Sequence, residues 1–232
     1  MIYDISPVLG PKLSVWPGDT PLTRTVQCEI TGGAPVTLSS ITATLHLGAH
    51  ADGPNHYTHP APGVGERSLA YYLGPCQVID APVARGSRVR VEDLKLAACA
   101  GGSGGGGVHA PRVLIRTGTF PSFDDWNSDF AGLTPELIEF LARSPVCAKN
   151  PSVAAGGVIP IGVDTPSVDT QDSKDLPAHK AIARHDMAIL EGLALEGVPA
   201  GIYELIALPL RLVGMDASPV RAVLRTLSEP RA

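Results

Sequence analysis

His46-Leu47-Gly48-Ala49-His50-Ala51-Asp52-Gly53-Pro54-Asn55-His56 is the stretch on which the reading of this chain turns. Of the chain's seven histidines, three fall here with an aspartate among them. His46, His50, Asp52 and His56 share one parity, so on an extended strand they face one side. A straight strand would nevertheless hold His46 and His50 about 13 Å apart, at about 3.3 Å per residue. No single ion spans that distance, because zinc–nitrogen bonds are only about 2.0 to 2.1 Å long. A helix would bring positions i and i+4 together, as in His-Glu-x-x-His proteases. Here Gly48, Gly53 and Pro54 interrupt any helix, and a Thr-rich strand precedes it. The consistent solution is a strand that ends near His46, turns at Gly48 and folds back, so that His50 and Asp52 meet His46 around one ion. Gly48 and Gly53 permit backbone angles that other residues resist, and Pro54 stiffens the exit. His59 has the opposite parity and precedes Pro60, which places it outside the ligand set.

Outward from this motif, the first hundred residues read as short strands separated by Pro and Gly. Thr37 to His46 alternates as a strand, and Gln77–Val83, Arg112–Thr117 and Val158–Asp164 read as buried strands. Thr134-Pro135-Glu136-Leu137 opens a helix through Arg143, with a threonine N-cap and Pro in the first turn. Asp175 to Leu190 reads as a second helical region, and the Ser-Pro start at Ser218-Pro219 predicts a last helix through Arg225. Strands mixed with a few helices define an α/β class. Gly101–Gly107 and Ala148–Gly157 read as loop insertions. The first lacks the following Lys-Ser or Lys-Thr that a phosphate loop needs, and neither divides the chain, which reads as one domain over residues 1–232.

The bulk composition narrows the function. A net charge of -5 argues against nucleic-acid or anionic-membrane partners, both of which favour a basic surface. No apolar run reaches the roughly 18 residues of a membrane span, and no secretory signal is visible at Met1–Ser6, so a cytoplasmic location is expected. Cys28, Cys76, Cys99 and Cys147 are far apart, without a CxxC pair or zinc-finger spacing, and are expected as reduced thiols.

The pattern His-x-Gly-x-His-x-Asp-x-Pro-x-His resembles the signature of the cyclase-type metal hydrolases, and within them the bacterial arylformamidase branch. The resemblance covers almost the whole chain. It includes Ser14-Val15-Trp16-Pro17-Gly18-Asp19-Thr20-Pro21, Gly162-Val163-Asp164-Thr165-Pro166-Ser167-Val168-Asp169, Ala178-His179, Ile189-Leu190-Glu191-Gly192-Leu193 and Tyr203–Leu210. It implies a mixed sheet with a barrel-like core and a few flanking helices, of the swivelling β/β/α type. It implies two Zn2+ per subunit: His46, His50 and Asp52 on one, with Asp52 bridging to a second completed by His179 and Glu191. His56 then matches the proton donor/acceptor and Trp16 a substrate-contacting aromatic. The implied reaction is hydrolysis of N-formyl-L-kynurenine to L-kynurenine and formate by a metal-activated hydroxide, in a homodimer. One departure is Ala49, where the family commonly has Thr, which removes a hydrogen bond that could tune a ligand.

Without the resemblance, Glu191 reads as a surface helix residue, although a carboxylate within the apolar stretch Met187–Leu195 wants a cation. His185 competes with His179 as a ligand, but its neighbours Arg184 and Asp186 point to a solvated face. His56 is suited to proton transfer because imidazole titrates near neutrality, with a third ligand as its alternative role. Trp16 offers an aryl ring a flat apolar face, with core packing as its alternative. His and carboxylate donors also suit Mn2+. The rival functions are hydrolysis of a cyclic amide such as isatin, and metal binding without catalysis.

Overall fold

Runs of apolar residues without polar alternation build the centre of the molecule. Val113-Leu114-Ile115 are fully buried, as strands covered on both faces must be. The computed structural model describes residues 1–97, 107–146 and 157–227. Its strands are β1 (Ile2–Asp4), β2 (Thr23–Cys28), β3 (Leu38–Thr42), β4 (His50–Asp52), β5 (Leu73–Asp80), β6 (Arg88–Val89), β7 (Arg112–Arg116) and β8 (Gly132–Leu133). Helix α1 (Pro135–Arg143), β9 (Pro160–Val163), α2 (Pro177–Arg184), β10 (Ala188–Glu191), β11 (Gly201–Ile206), β12 (Ala217–Pro219) and β13 (Val223–Thr226) follow. Nine strands form one mixed sheet in the order β1-β13-β11-β5-β7-β9-β10-β4-β12, curled into a half-barrel. The run β5, β7, β9, β10 is parallel, and the strands flanking it on both sides pair antiparallel.

Each face of the sheet has its own core. Ile115, Ile161, Val163 and Ile189 pack under α1 and α2, against Leu137, Leu141, Ala181 and Ile182. Leu114, Leu190, Ala51 and Leu205 face the other way, onto Ile5, Tyr72 and Leu195. Arg112 is also buried, and its guanidinium donates to the carbonyls of Tyr71, Pro75 and Ala70. Arg112→Met would leave those carbonyls unpaired. We expect a loss of about 3 kcal/mol, which lowers the melting temperature by roughly 6 to 12 °C. A melting temperature unchanged in a calorimetric scan would contradict this.

The expected helix at Thr134 is present as α1, with the Thr134 hydroxyl accepting from Leu137 N. Three expectations are corrected. The helical reading of Asp175–Leu190 holds only for α2, because Ala188–Glu191 is strand β10. All four of its residues are buried, and a strand covered on both faces shows no alternation to separate it from a buried helix. The last helix from Ser218 is absent: this segment forms β12 and β13. Pro219 is tolerated there because β12 is the edge of the sheet, and Ser218 Oγ accepts from Leu210 N instead of capping a helix. The strand expected to run to His46 stops at Thr42; beyond it Thr44 Oγ1 takes the backbone N–H of His46. Cys28 and Cys76 are free thiols. Cys99, Cys147 and nearly all of both loop insertions lie outside the described residues.

Candidate metal centre

The histidine motif becomes a cradle through one turn and one strand pair. Gly48 has φ +57°, the left-handed conformation a side chain resists. The turn there brings the His46 and His50 rings to 5.0 Å between centroids. Gly53 corrects the expectation of an unusual backbone angle. Its φ is -82°, and its constraint is close approach, since a Cβ would sit 2.6 Å from Val64 N.

Strand β4 then sets the face. Glu191 lies opposite His50 and Ile189 opposite Asp52 in the antiparallel pair β4–β10. Opposed residues share a face, so His50, Asp52 and Glu191 project together while Ala51 and Leu190 enter the far core. Ala49 packs in that same core, so its side chain is turned away from the cradle.

Helix α2 supplies the remaining donor. His179 sits in its first turn, and Asp169 anchors both the helix and the ring. The Asp169 carboxylate accepts from Ala178 N at 3.2 Å, His179 N at 3.1 Å and His179 Nδ1 at 2.8 Å. Arg88 donates to Asp169 from the other side at 2.7 Å.

Hydrogen-bond partners fix the neutral tautomers, the forms in which these rings bind a metal. His50 Nδ1 is 2.9 Å from the carbonyl of Gly48, which can only accept, so Nε2 is left as a lone pair. His179 Nδ1 donates to Asp169, so its Nε2 also points inward as a lone pair, 3.7 Å from both Asp52 Oδ2 and Glu191 Oε1. His46 Nε2 lies 3.1 Å from Asp216 Oδ2, leaving Nδ1 to face Asp52 Oδ1 at 3.1 Å. Asp52 is 1% exposed, yet neither of its oxygens has a hydrogen-bond donor, and His50 Nε2 is equally unpartnered. Buried polar atoms without hydrogen-bond partners are costly, and a cation is the group that resolves them. The donors therefore fit a metal. Among the described residues two sets lie within coordinating reach, His46–Asp52–His56 and His50–Asp52–Glu191, and Asp52 belongs to both.

Without a cation, the histidines hold protons instead, kept there by the carboxylates around them. Burial disfavours charge on His46 and His179, but Asp52, Glu191, Asp216 and Asp169 outweigh it, raising His46 to about 9 and His179 to about 10. His56 moves the other way: burial lowers it, and the neighbouring His46 and His179 add to the effect.

A cavity of about 380 Å³ opens above the cradle. It lies beyond the carboxyl ends of β7, β9 and β10, where ligand sites of parallel sheets belong. The chain after β7 contributes Phe120, Phe123 and Trp126, the chain after β9 contributes Pro166 and Ser167, and Gly192 follows β10. Trp16 lines the same cavity and meets Trp126 edge-to-face at 5.4 Å. All seven residues singled out from the sequence, His46, His50, Asp52, His56, His179, Glu191 and Trp16, line this cavity or its floor. His185 is excluded, its ring paired with Glu139 at 2.7 Å. The sequence reading missed Asp169 and Asp216. Neither stands at a recognisable spacing from the histidines it serves.

A buried His/carboxylate cradle at the carboxyl edge of a mixed sheet is the site of a metal-binding protein of α/β class. The chain belongs to the Cyclase family, whose model matches residues 3–170. Kynurenine formamidase of Maricaulis maris (strain MCS10) is 45% identical over 227 residues, covering 97% of this chain and 98% of that protein. Isatin hydrolase A from Ralstonia solanacearum shares the fold with a TM-score of 0.73 at 21% identity, over 97% of this chain and 91% of that one. A predicted metal-dependent hydrolase from Bacillus stearothermophilus does so with a TM-score of 0.71 at 24% identity, over 97% of each chain.

Asp169→Asn keeps the shape of the anchor but weakens its hold on His179. We expect about 10- to 100-fold weaker metal binding, read by competition with a chromogenic chelator. Unchanged affinity would show that helix α2 alone holds the ring.

Proposed function

We propose that this protein hydrolyses N-formyl-L-kynurenine to L-kynurenine and formate. The observation that carries the reading is an aromatic-walled cavity ending on a buried His/carboxylate cradle with unpartnered Asp52 and His50 atoms, in a chain 45% identical to a kynurenine formamidase. The proposed ligands are His46, His50 and Asp52 for one zinc, with Asp52 shared and His179 and Glu191 completing a second. Mn2+ suits the same donors. A divalent ion held there supplies Lewis acidity, making water acidic enough to attack at neutral pH and polarising a carbonyl oxygen.

The chain's own residues do the rest. Trp16, Trp126 and Phe120 give the aryl ring flat apolar walls, which orient the formamide towards the cradle. The aromatic amine must leave with a proton, and His56 is placed at the edge of the cradle to take one from water and return it to nitrogen. Gly48 and Asp169 hold the rings of His50 and His179, so the site is arranged before substrate arrives. The whole chain acts as one hydrolase domain, and the family resemblance supports a homodimer. No helix among the described residues is long and apolar enough to cross a membrane.

The test is formate release from N-formyl-L-kynurenine by zinc-loaded protein, with a chelator-treated control and isatin as the competing substrate. Chelator-sensitive release supports the reading. Turnover of isatin in preference to the formamide, or metal binding with no hydrolysis, overturns it.

A further inference from the structure

The polar neighbours of His56 lead to Asp216. His56 ends the turn Pro54–His56, and its ring packs against His46 with centroids 4.3 Å apart. Among the described residues, one carboxylate comes within 4.0 Å of a His56 nitrogen: Asp216 Oδ2, 3.8 Å from Nδ1. That same oxygen is 3.1 Å from His46 Nε2. One carboxylate oxygen thus stands between a metal-ligand candidate and the proton carrier.

The placement of Asp216 is fixed by backbone, not by its own side chain. Residue 217 pairs with Asp52 in the ladder of β12 and β4. The carbonyl of Asp216 accepts from Gly53 N at 2.7 Å, and that of Met215 accepts from Val64 N at 2.9 Å. Asn55 Nδ2 donates to the carbonyl of Gly214 at 3.2 Å. The loop carrying Asp216 is therefore bonded directly to the turn carrying His56, at Gly53 and Asn55. Replacing the carboxylate leaves all of these bonds intact, so its role can be separated from that of the loop.

We infer that Asp216 is a positioning residue for His56. Its carboxylate accepts from His56 Nδ1–H, presents Nε2 to the cavity as the proton-accepting atom, and holds the ring through the transfer. Carboxylates that orient a catalytic imidazole work this way in other sites. Catalytic hydrogen bonds are often long before substrate binds, and the 3.8 Å separation fits that pattern. The bond to His46 is the second half of the role. It sets the tautomer that leaves Nδ1 free, so one side chain prepares both a ligand and the proton carrier.

This inference rests on the proposed hydrolysis, and its test separates the two. Asp216→Asn and Asp216→Glu are compared with the parent protein, each saturated with zinc. Turnover of N-formyl-L-kynurenine is measured together with zinc affinity and the imidazole 15N shifts of His56. Asp216→Asn is expected to lower kcat by about 10- to 100-fold with KM within about twofold. The His56 shifts should move away from a pure Nδ1–H tautomer, and Asp216→Glu should recover part of the rate. An unchanged kcat with unchanged His56 shifts overturns the inference. So does a rate loss that saturating zinc restores while the His56 shifts stay fixed, because Asp216 then acts through His46 alone. If the parent protein does not hydrolyse the formamide, the functional proposal fails, while the His56 shifts in Asp216→Asn still decide whether the carboxylate holds the ring.

Discussion

Asp52→Asn will lose metal and turnover together, and near neutral pH the metal-free variant will be less stable than the metal-free parent. Asp52 is the residue common to both donor sets. Its oxygens face His46 Nδ1 at 3.1 Å, His50 Nε2 at 3.5 Å and His179 Nε2 at 3.7 Å. Asn keeps the shape but removes the charge and replaces one acceptor by an NH2 donor. In the metal-free parent the lost charge faces the protonated rings of His46 and His179, which it helps to hold at about 9 and about 10. The substitution therefore removes a favourable charge pairing from the metal-free protein as well as a ligand from the metal-loaded one. With several kcal/mol of Lewis-acid stabilisation removed, turnover should fall by about 10³-fold or more. Metal analysis after gel filtration and a thermal melt in chelator are the measurements. Full zinc content in Asp52→Asn would remove this residue from the centre of the site.

His56→Ala separates catalysis from metal binding. His56 occupies a boundary position, since it belongs to one set of donors within coordinating reach and also faces the cavity. As a proton carrier it should be dispensable for zinc and worth about 10²- to 10⁴-fold in turnover. Its side chain is 36% exposed, so stability should change by no more than about 0.5 kcal/mol. The decisive number is the zinc content. A variant that keeps its metal and loses its rate confirms proton transfer. A variant that loses metal makes His56 a ligand, completing the set with His46 and Asp52.

The legible part of this chain was local. The spacing from His46 to Asp52, together with Gly48, required a turn that gathers the side chains, and the structure places that turn at Gly48 with a positive φ. Helix α1 was legible because a threonine cap, a proline and an amphipathic run agree. The failures share one cause. Ala188–Glu191 and Val223–Thr226 are strands whose neighbours come from far along the chain, and short apolar segments carry no signal about such partners. Ser218-Pro219 has the chemistry of a helix start, and only its place at a sheet edge made it a strand.

By itself the sequence determined the class of chemistry, because three histidines and an aspartate punctuated by glycine and proline have few uses other than holding a cation. It also named His179 and Glu191, but only through family resemblance. The tertiary structure decided what brings those residues together. The register of β4 against β10 puts Glu191 across from His50, and Asp169 fixes the first turn of α2 so that His179 faces Asp52. It also supplied Asp216, which no spacing could have indicated. A ligand's identity is written in local chemistry, whereas its partners are set by strand pairing between residues more than a hundred positions apart, and that pairing exists only once the sheet has formed.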